Sequence, residues 1–127
     1  MAGIDVLIVD DSSVMRKIVE RALRQADLEL DTVYEAGNGA EGLELLGSRS
    51  VQLVLSDINM PSMDGLEFLR QMRSRNLASG VPVVMITTES SEEHVKQAIQ
   101  AGAQGYIRKP FTPEQVKERV LPLVGKA

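Results

Sequence analysis

The chain contains no cysteine. That excludes disulfide staples, thiolate nucleophiles and cysteine-ligated zinc, and it fits a reducing compartment. Histidine is almost as scarce. His94 stands alone, with no partner at metal-ligand spacing, and reads as a surface helix residue rather than a ligand. Excess positive charge is missing too: a formal net charge of -4 leaves no electrostatic footprint for nucleic acid or an anionic membrane surface. The expected partner is a protein or a small molecule. No apolar run approaches bilayer-spanning length, and the amino terminus "MAGID" lacks the basic-then-apolar pattern of a secretory leader. The expected location is the cytoplasm. No long linker, repeat or low-complexity tract breaks the sequence, so residues 1–127 are expected to form a single domain.

What is present is 43% hydrophobic residues, enough for a real core, arranged in two alternating kinds of segment. Five runs rich in Val, Ile and Leu read as strands: "IDVLIV" (Ile4 to Val9), "DTVYEA" (Asp31 to Ala36), "VQLVLS" (Val51 to Ser56), "VPVVMIT" (Val81 to Thr87) and "GYIRK" (Gly105 to Lys109). Between and after them the apolar residues take helical spacing, as in Val14, Ile18 and Ala22, or Leu66, Leu69 and Met72. Ser12 or Ser13, Asp64, Ser91 and Thr112 are placed to cap helices, Pro113 falls near a first helical position, and Gly102 sits where the fourth helix must stop. Gly42 falls inside the second helix, where it costs about 1 kcal/mol of helix propensity.

The polarity of the strands predicts their order. The first, third and fourth runs are almost wholly apolar, as strands covered by helices on both faces must be. "DTVYEA" and "GYIRK" carry charge within the run and suit the edges. The fold expected is α/β, a doubly wound five-stranded parallel sheet of order 2-1-3-4-5, flavodoxin-like, with helices on both faces. In such a sheet the crevice lies at the carboxyl ends of strands one and three, where the winding reverses.

That edge carries Asp10 and Asp11 after strand one, Asp57 after strand three, Thr87 after strand four and Lys109 after strand five. Three carboxylates without His or Cys point to a hard cation such as Mg²⁺, which keeps waters and completes its shell with phosphate oxygen. A carboxylate can itself accept a phosphoryl group as a nucleophile, and such transfer depends on positioning and charge neutralisation. Asp57, on a central strand, is the candidate nucleophile; Asp10 and Asp11 are candidate metal holders; Lys109 and Thr87 can reach phosphoryl oxygens. Taken singly, each has an ordinary role: cap, turn residue, solvated lysine, strand threonine. Their convergence on adjacent strand ends is what those roles leave unexplained.

The stretches "LIVDDSSVMRK", "LVLSDINMPSMDGLEFLRQMR", "VVMITTES" and "AGAQGYIRKPF" resemble the receiver domain of bacterial two-component response regulators, from Ile4 to about Val124. With nothing after the last helix, the nearest subtype is the stand-alone CheY-like regulators of chemotaxis. The resemblance implies that Asp57 is the phospho-acceptor, taking its group from a sensor histidine kinase. It implies that Asp10, Asp11, Asp57 and the Asn59 backbone carbonyl hold Mg²⁺, with Asp11 direct and Asp10 largely through water. Thr87, Thr88 and Lys109 would contact the phosphoryl group, with Thr88 bulkier than the residue often found there. Thr87 and Tyr106 would form the switch, Asn59 and Glu89 would tune hydrolysis of the acyl phosphate, and the Lys109–Pro110 bond would be cis. Phe111 is assigned to the core without a signalling role.

The function implied is a phosphorylation-activated switch whose output face is built from helix four, strand five and helix five. It is not an enzyme beyond self-phosphotransfer and autodephosphorylation. Its output protein would be of the kind found in the flagellar motor switch, and receivers often pair through that same face, so a phosphorylation-linked dimer is also implied. The alternative is a phosphorelay intermediate or phosphate sink exchanging with a histidine phosphotransfer domain. An FMN binder is disfavoured because two acids stand where a phosphate loop is needed. A haloacid-dehalogenase-type phosphohydrolase is disfavoured because Ser12 stands two residues after Asp10, where a second Asp belongs.

Overall fold

Alternating apolar runs and amphipathic stretches become, in a computed structural model, one parallel sheet with helices on both faces. The structure describes residues 3–60, 62–87 and 92–124, without the side chains of Glu92 and His94. The expectations for Thr88, Glu89, the Ser91 cap and the His94 side chain lie outside the described residues. In chain order the elements are β1 (Ile4–Val9), α1 (Ser13–Gln25), β2 (Leu30–Ala36), α2 (Gly39–Ser48) and β3 (Leu53–Asp57). They continue as α3 (Gly65–Ser74), β4 (Val83–Thr87), α4 (Glu92–Gln100), β5 (Gly105–Arg108) and α5 (Pro113–Val124). The sheet order is β2-β1-β3-β4-β5, all parallel, as the strand polarity predicts.

Alternation along β1 divides the core. Leu7 and Val9 point into a cluster with Leu43 and Leu46 of α2, Phe68, Leu69 and Met72 of α3, and Ala98 of α4. Val6 and Ile8 point the other way, onto Val19 and Leu23 of α1 and Val116 and Val120 of α5. Opposite faces at successive residues are the period of a strand, and here both faces are dry. Among the described residues no helix is long and apolar enough to cross a membrane.

Two strands start later than the apolar runs suggest. Val51 is buried but precedes β3, and Val81 and Pro82 precede β4. Pro82 has no N–H to give the ladder; its carbonyl still accepts from the Val54 N–H at 3.0 Å. The caps fall as expected at Ser12, Asp64 and Thr112, whose side chains accept from the N–H groups of Met15, Glu67 and Gln115. Gly102, at φ 109, ends α4. Its N–H donates to Ile99 and the Ala103 N–H to Ala98, the paired bonds of a left-handed helix stop.

Gly42 has a packing role that helix propensity does not reveal. A Cβ there would lie 2.8 Å from Cε1 of the fully buried Phe68 ring and 3.2 Å from Val9 Cγ2. Gly42→Ala therefore gains about 1 kcal/mol of propensity but overpacks the core by more, typically about 1–3 kcal/mol. The variant is expected to unfold at lower urea than the wild type. A higher midpoint would show that the ring can move aside.

Candidate functional site

The winding reverses between β2 and β3, both of which flank β1, and the acidic cluster forms at that point. Asp10 is the first residue beyond β1. Its N–H donates to the Ala36 carbonyl at 3.0 Å, which continues the β1–β2 ladder by one residue. Its Oδ1 accepts from the Ser12 N–H at 2.9 Å, fixing the turn into α1. Asp10 is 2% exposed, and its buried Oδ2 has no hydrogen-bond partner among the described residues. Asp11, next in the chain, is exposed.

Asp57 ends β3 and is buried. Its Oδ1 accepts from the Asn59 N–H at 3.2 Å and its Oδ2 from Lys109 Nζ at 3.3 Å, while Ser56 Oγ donates to its backbone carbonyl at 3.0 Å. The same ammonium stands 3.5 Å from Asp10 Oδ2, so Lys109 is the positive charge between the two buried acids. Lys109 is positioned by its own N–H, which donates to the Thr87 carbonyl at 2.8 Å. Thr87 is fully buried at the end of β4. The Lys109–Pro110 peptide is cis, as the resemblance implies.

Burial pushes the Asp57 carboxyl above its ordinary range. The Lys109 charge opposes that rise, Asp10 adds to it, and the hydrogen bonds from Asn59 and Lys109 oppose it again. Desolvation and a like charge thus outweigh a single lysine. One oxygen from each of Asp10, Asp11 and Asp57 lies within 4.8 Å of the others. An oxygen-only donor set, with one buried oxygen that accepts no hydrogen bond among the described residues, fits a hard divalent cation.

Of the remaining expected residues, Asn59 is exposed and touches the site through its N–H. Tyr106 is half-buried on β5, beside Met85 in register. Its ring lies under the Arg119 guanidinium, 5.2 Å from centroid to Cζ, and it lines a groove of ≈ 590 Å³ with Arg108, Gln115, Glu118 and Arg119. Phe111 corrects one expectation. It packs against the core on the α1 and α5 side but is only partly buried, because its other face lines a cleft. With Met15, Ile18, Lys109 and Pro110 it lines an apolar cleft of ≈ 390 Å³ beside the acidic pocket. Val14 and Ile18 are 67% and 46% exposed.

Three participants are not anticipated from the sequence: Arg16, Lys17 and Glu35. Arg16 Nη1 donates to the Asp10 carbonyl at 2.6 Å, and its Nε donates to Glu35 Oε1 on β2 at 2.9 Å. Lys17 holds the other Glu35 oxygen at 2.8 Å, and these two cations keep the Glu35 carboxyl below its usual range, Lys17 first. The i+4 step from Ser12 to Arg16 places Arg16 one turn into α1, but only the β1–β2 pairing brings Glu35 to it.

With this geometry in hand, comparison with known proteins is specific. Residues 6–121 match the response regulator receiver domain. The chain is 40% identical over 120 residues to a chemotaxis protein CheY homolog of Campylobacter jejuni, covering 94% of this chain and 91% of that protein. It is 39% identical over 120 residues to chemotaxis protein CheY1 of Helicobacter pylori, covering 94% and 95%. The solved structure of Vibrio cholerae chemotaxis protein CheY4 superposes with a TM-score of 0.83 at 35% identity, over 97% of this chain and 98% of that one.

Proposed function

The chain belongs to the response regulator receiver domain family, and from that premise we propose that it is a phosphorylation-activated switch in which Asp57 accepts a phosphoryl group from a histidine kinase. The observation that carries this reading is the Lys109 ammonium held between two buried carboxylates, 3.3 Å from Asp57 and 3.5 Å from Asp10 Oδ2, an oxygen that accepts no hydrogen bond among the described residues.

The ionised Asp57 carboxylate attacks phosphorus; the new P–O bond makes an acyl phosphate as the P–N bond to the kinase histidine breaks. The imidazole leaves with the electron pair of that bond. Asp57 is suited to the attack because burial leaves its charge poorly solvated and its orientation is fixed by Asn59. Once the carboxylate becomes an ester-like phosphate, Lys109 is released from its ion pair with Asp57 and follows the charge outward to the phosphoryl oxygens. Thr87, at the neighbouring strand end, contributes its hydroxyl to the same group. Asp10, Asp11 and Asp57, with the Asn59 carbonyl, would hold Mg²⁺, which when bound offsets the negative charge of the transferring group. Thr88, Asn59 and Glu89 govern the access of water and so the lifetime of the phosphorylated state. The chain has no substrate but itself.

The kinase is proposed to dock on the apolar surface of Ile18 and Phe111, which line the cleft beside the pocket, together with exposed Val14 one turn before Ile18 on α1. The output partner is proposed to meet the face of α4, β5 and α5, where Tyr106 borders the groove, and the setting is the cytoplasm. The test is intact mass after incubation with acetyl phosphate. One phosphoryl adduct is expected with Mg²⁺ and none with EDTA; no adduct in either condition overturns the reading.

A further inference from the structure

Asp10 is held on three sides by hydrogen bonds and met on the fourth by an ion pair alone. Its N–H is taken by Ala36, its Oδ1 by Ser12 and its carbonyl by Arg16, while Oδ2, 3.5 Å from Lys109 Nζ, accepts no hydrogen bond among the described residues. The Asp10 carbonyl lies between the end of β1 and the start of α1, where neither ladder nor helix supplies it a donor. Arg16 supplies one from α1, at 2.6 Å. The guanidinium is itself fixed, because its Nε donates at 2.9 Å to Glu35 on β2, and the side chain is only 18% exposed.

We propose that Arg16 is a positioning residue for the divalent-cation site: braced by Glu35, its fork fixes the Asp10 backbone so that Oδ2 is presented to the ion. The inference rests on the receiver reading above. A turn that had to order as the ion arrived would subtract that ordering from the binding free energy, and a braced turn does not. Arginine suits the task where lysine does not, since one planar fork serves two acceptors at once. Glu35, shared with Lys17, offsets part of the guanidinium charge, and Arg16 meets Asp10 at its backbone carbonyl rather than at the carboxylate that faces the metal.

The test is calorimetric titration of Mg²⁺ into wild type, Arg16→Gln and Arg16→Lys, with the Mg²⁺ dependence of acetyl phosphate uptake measured on each. Arg16→Gln is expected to raise the Mg²⁺ Kd about tenfold, as loss of a supporting group around a metal site commonly does. Arg16→Lys loses less, because an ammonium serves one of the two acceptors. At saturating Mg²⁺ the uptake rate of both returns to that of the wild type, a split that a general loss of structure does not produce. Mg²⁺ affinity of Arg16→Gln equal to wild type overturns the proposal, as does an uptake rate that saturating Mg²⁺ leaves depressed. Should Arg16→Gln fail to fold, unchanged affinity in Arg16→Lys overturns it instead. Wild-type protein that binds no Mg²⁺ overturns the proposed phosphorylation switch itself, though not the family membership.

Discussion

Asp57→Asn takes up no phosphoryl group from acetyl phosphate, and in EDTA at neutral pH it melts above the wild type. The first half follows from chemistry, because an amide nitrogen or oxygen does not replace the carboxylate nucleophile. The second half follows from charge. Three carboxylates share the pocket with the Lys109 ammonium, and Asn leaves two. Asparagine still offers an oxygen to the Asn59 N–H, and Lys109 keeps its ion pair with Asp10 at 3.5 Å. A rise of several degrees is expected, at about 4 °C per kcal/mol for a domain of this size.

The pH dependence of that difference has a definite sign. The folded state holds the Asp57 proton more tightly than the unfolded chain does, since burial raises its pKa. Folding is therefore favoured while Asp57 is protonated, and that contribution is lost as pH rises from the ordinary carboxylate value through the raised one. The melting temperatures of wild type and Asp57→Asn converge at acid pH and separate across that window. Mg²⁺ reverses the order by binding the folded wild type. Parallel melting curves across the window would mean that Asp57 is not desolvated as its burial implies.

The sheet order was legible because burial on both faces writes an almost wholly apolar run, as in "IDVLIV", "VQLVLS" and "VPVVMIT". The acids, Thr87 and Lys109 were legible for a related reason: each sits at a strand end, and strand ends in a parallel sheet share one edge. What lay beyond the sequence depends on pairing across elements. Nothing local joins Arg16 to Glu35; their contact needs the register that sets Ile8 beside Glu35. Val51 reads as strand because it is apolar and buried, yet it enters the core from a loop. Asn38 could have been found. Its side chain caps α2 by accepting from the Glu41 N–H, while the Glu41 carboxylate accepts from the Gly37 N–H, one residue before the cap, a variant of the box in which Asn is followed three residues later by Glu.

Gly65→Ala is expected to be the most damaging single methyl in the chain. A Cβ at Gly65 would meet the Asp57 carbonyl oxygen, with Ile58 Cα and Met85 Cε both at 2.8 Å. At Gly42 the obstacle is the far edge of a ring, which can tilt; at Gly65 two of the three obstacles are backbone, and the backbone is that of the acceptor strand. Gly65 also cannot retreat without loss, because its N–H donates to the Ile58 carbonyl at 2.8 Å and Asp64 caps α3 immediately before it. Relief requires α3 to move off β3, opening the cluster around Phe68, Leu69 and Met72. A cost of about 3 kcal/mol is expected, at the upper end of overpacking, and with it a fall in melting temperature of roughly 12 °C. The same displacement acts on the Asp57 peptide, so the folded fraction should also accept phosphoryl groups more slowly at saturating Mg²⁺. A variant that melts with the wild type and is phosphorylated at its rate would show that α3 is free to shift, and that the closeness of Gly65 to Asp57 does not hold the acceptor in place.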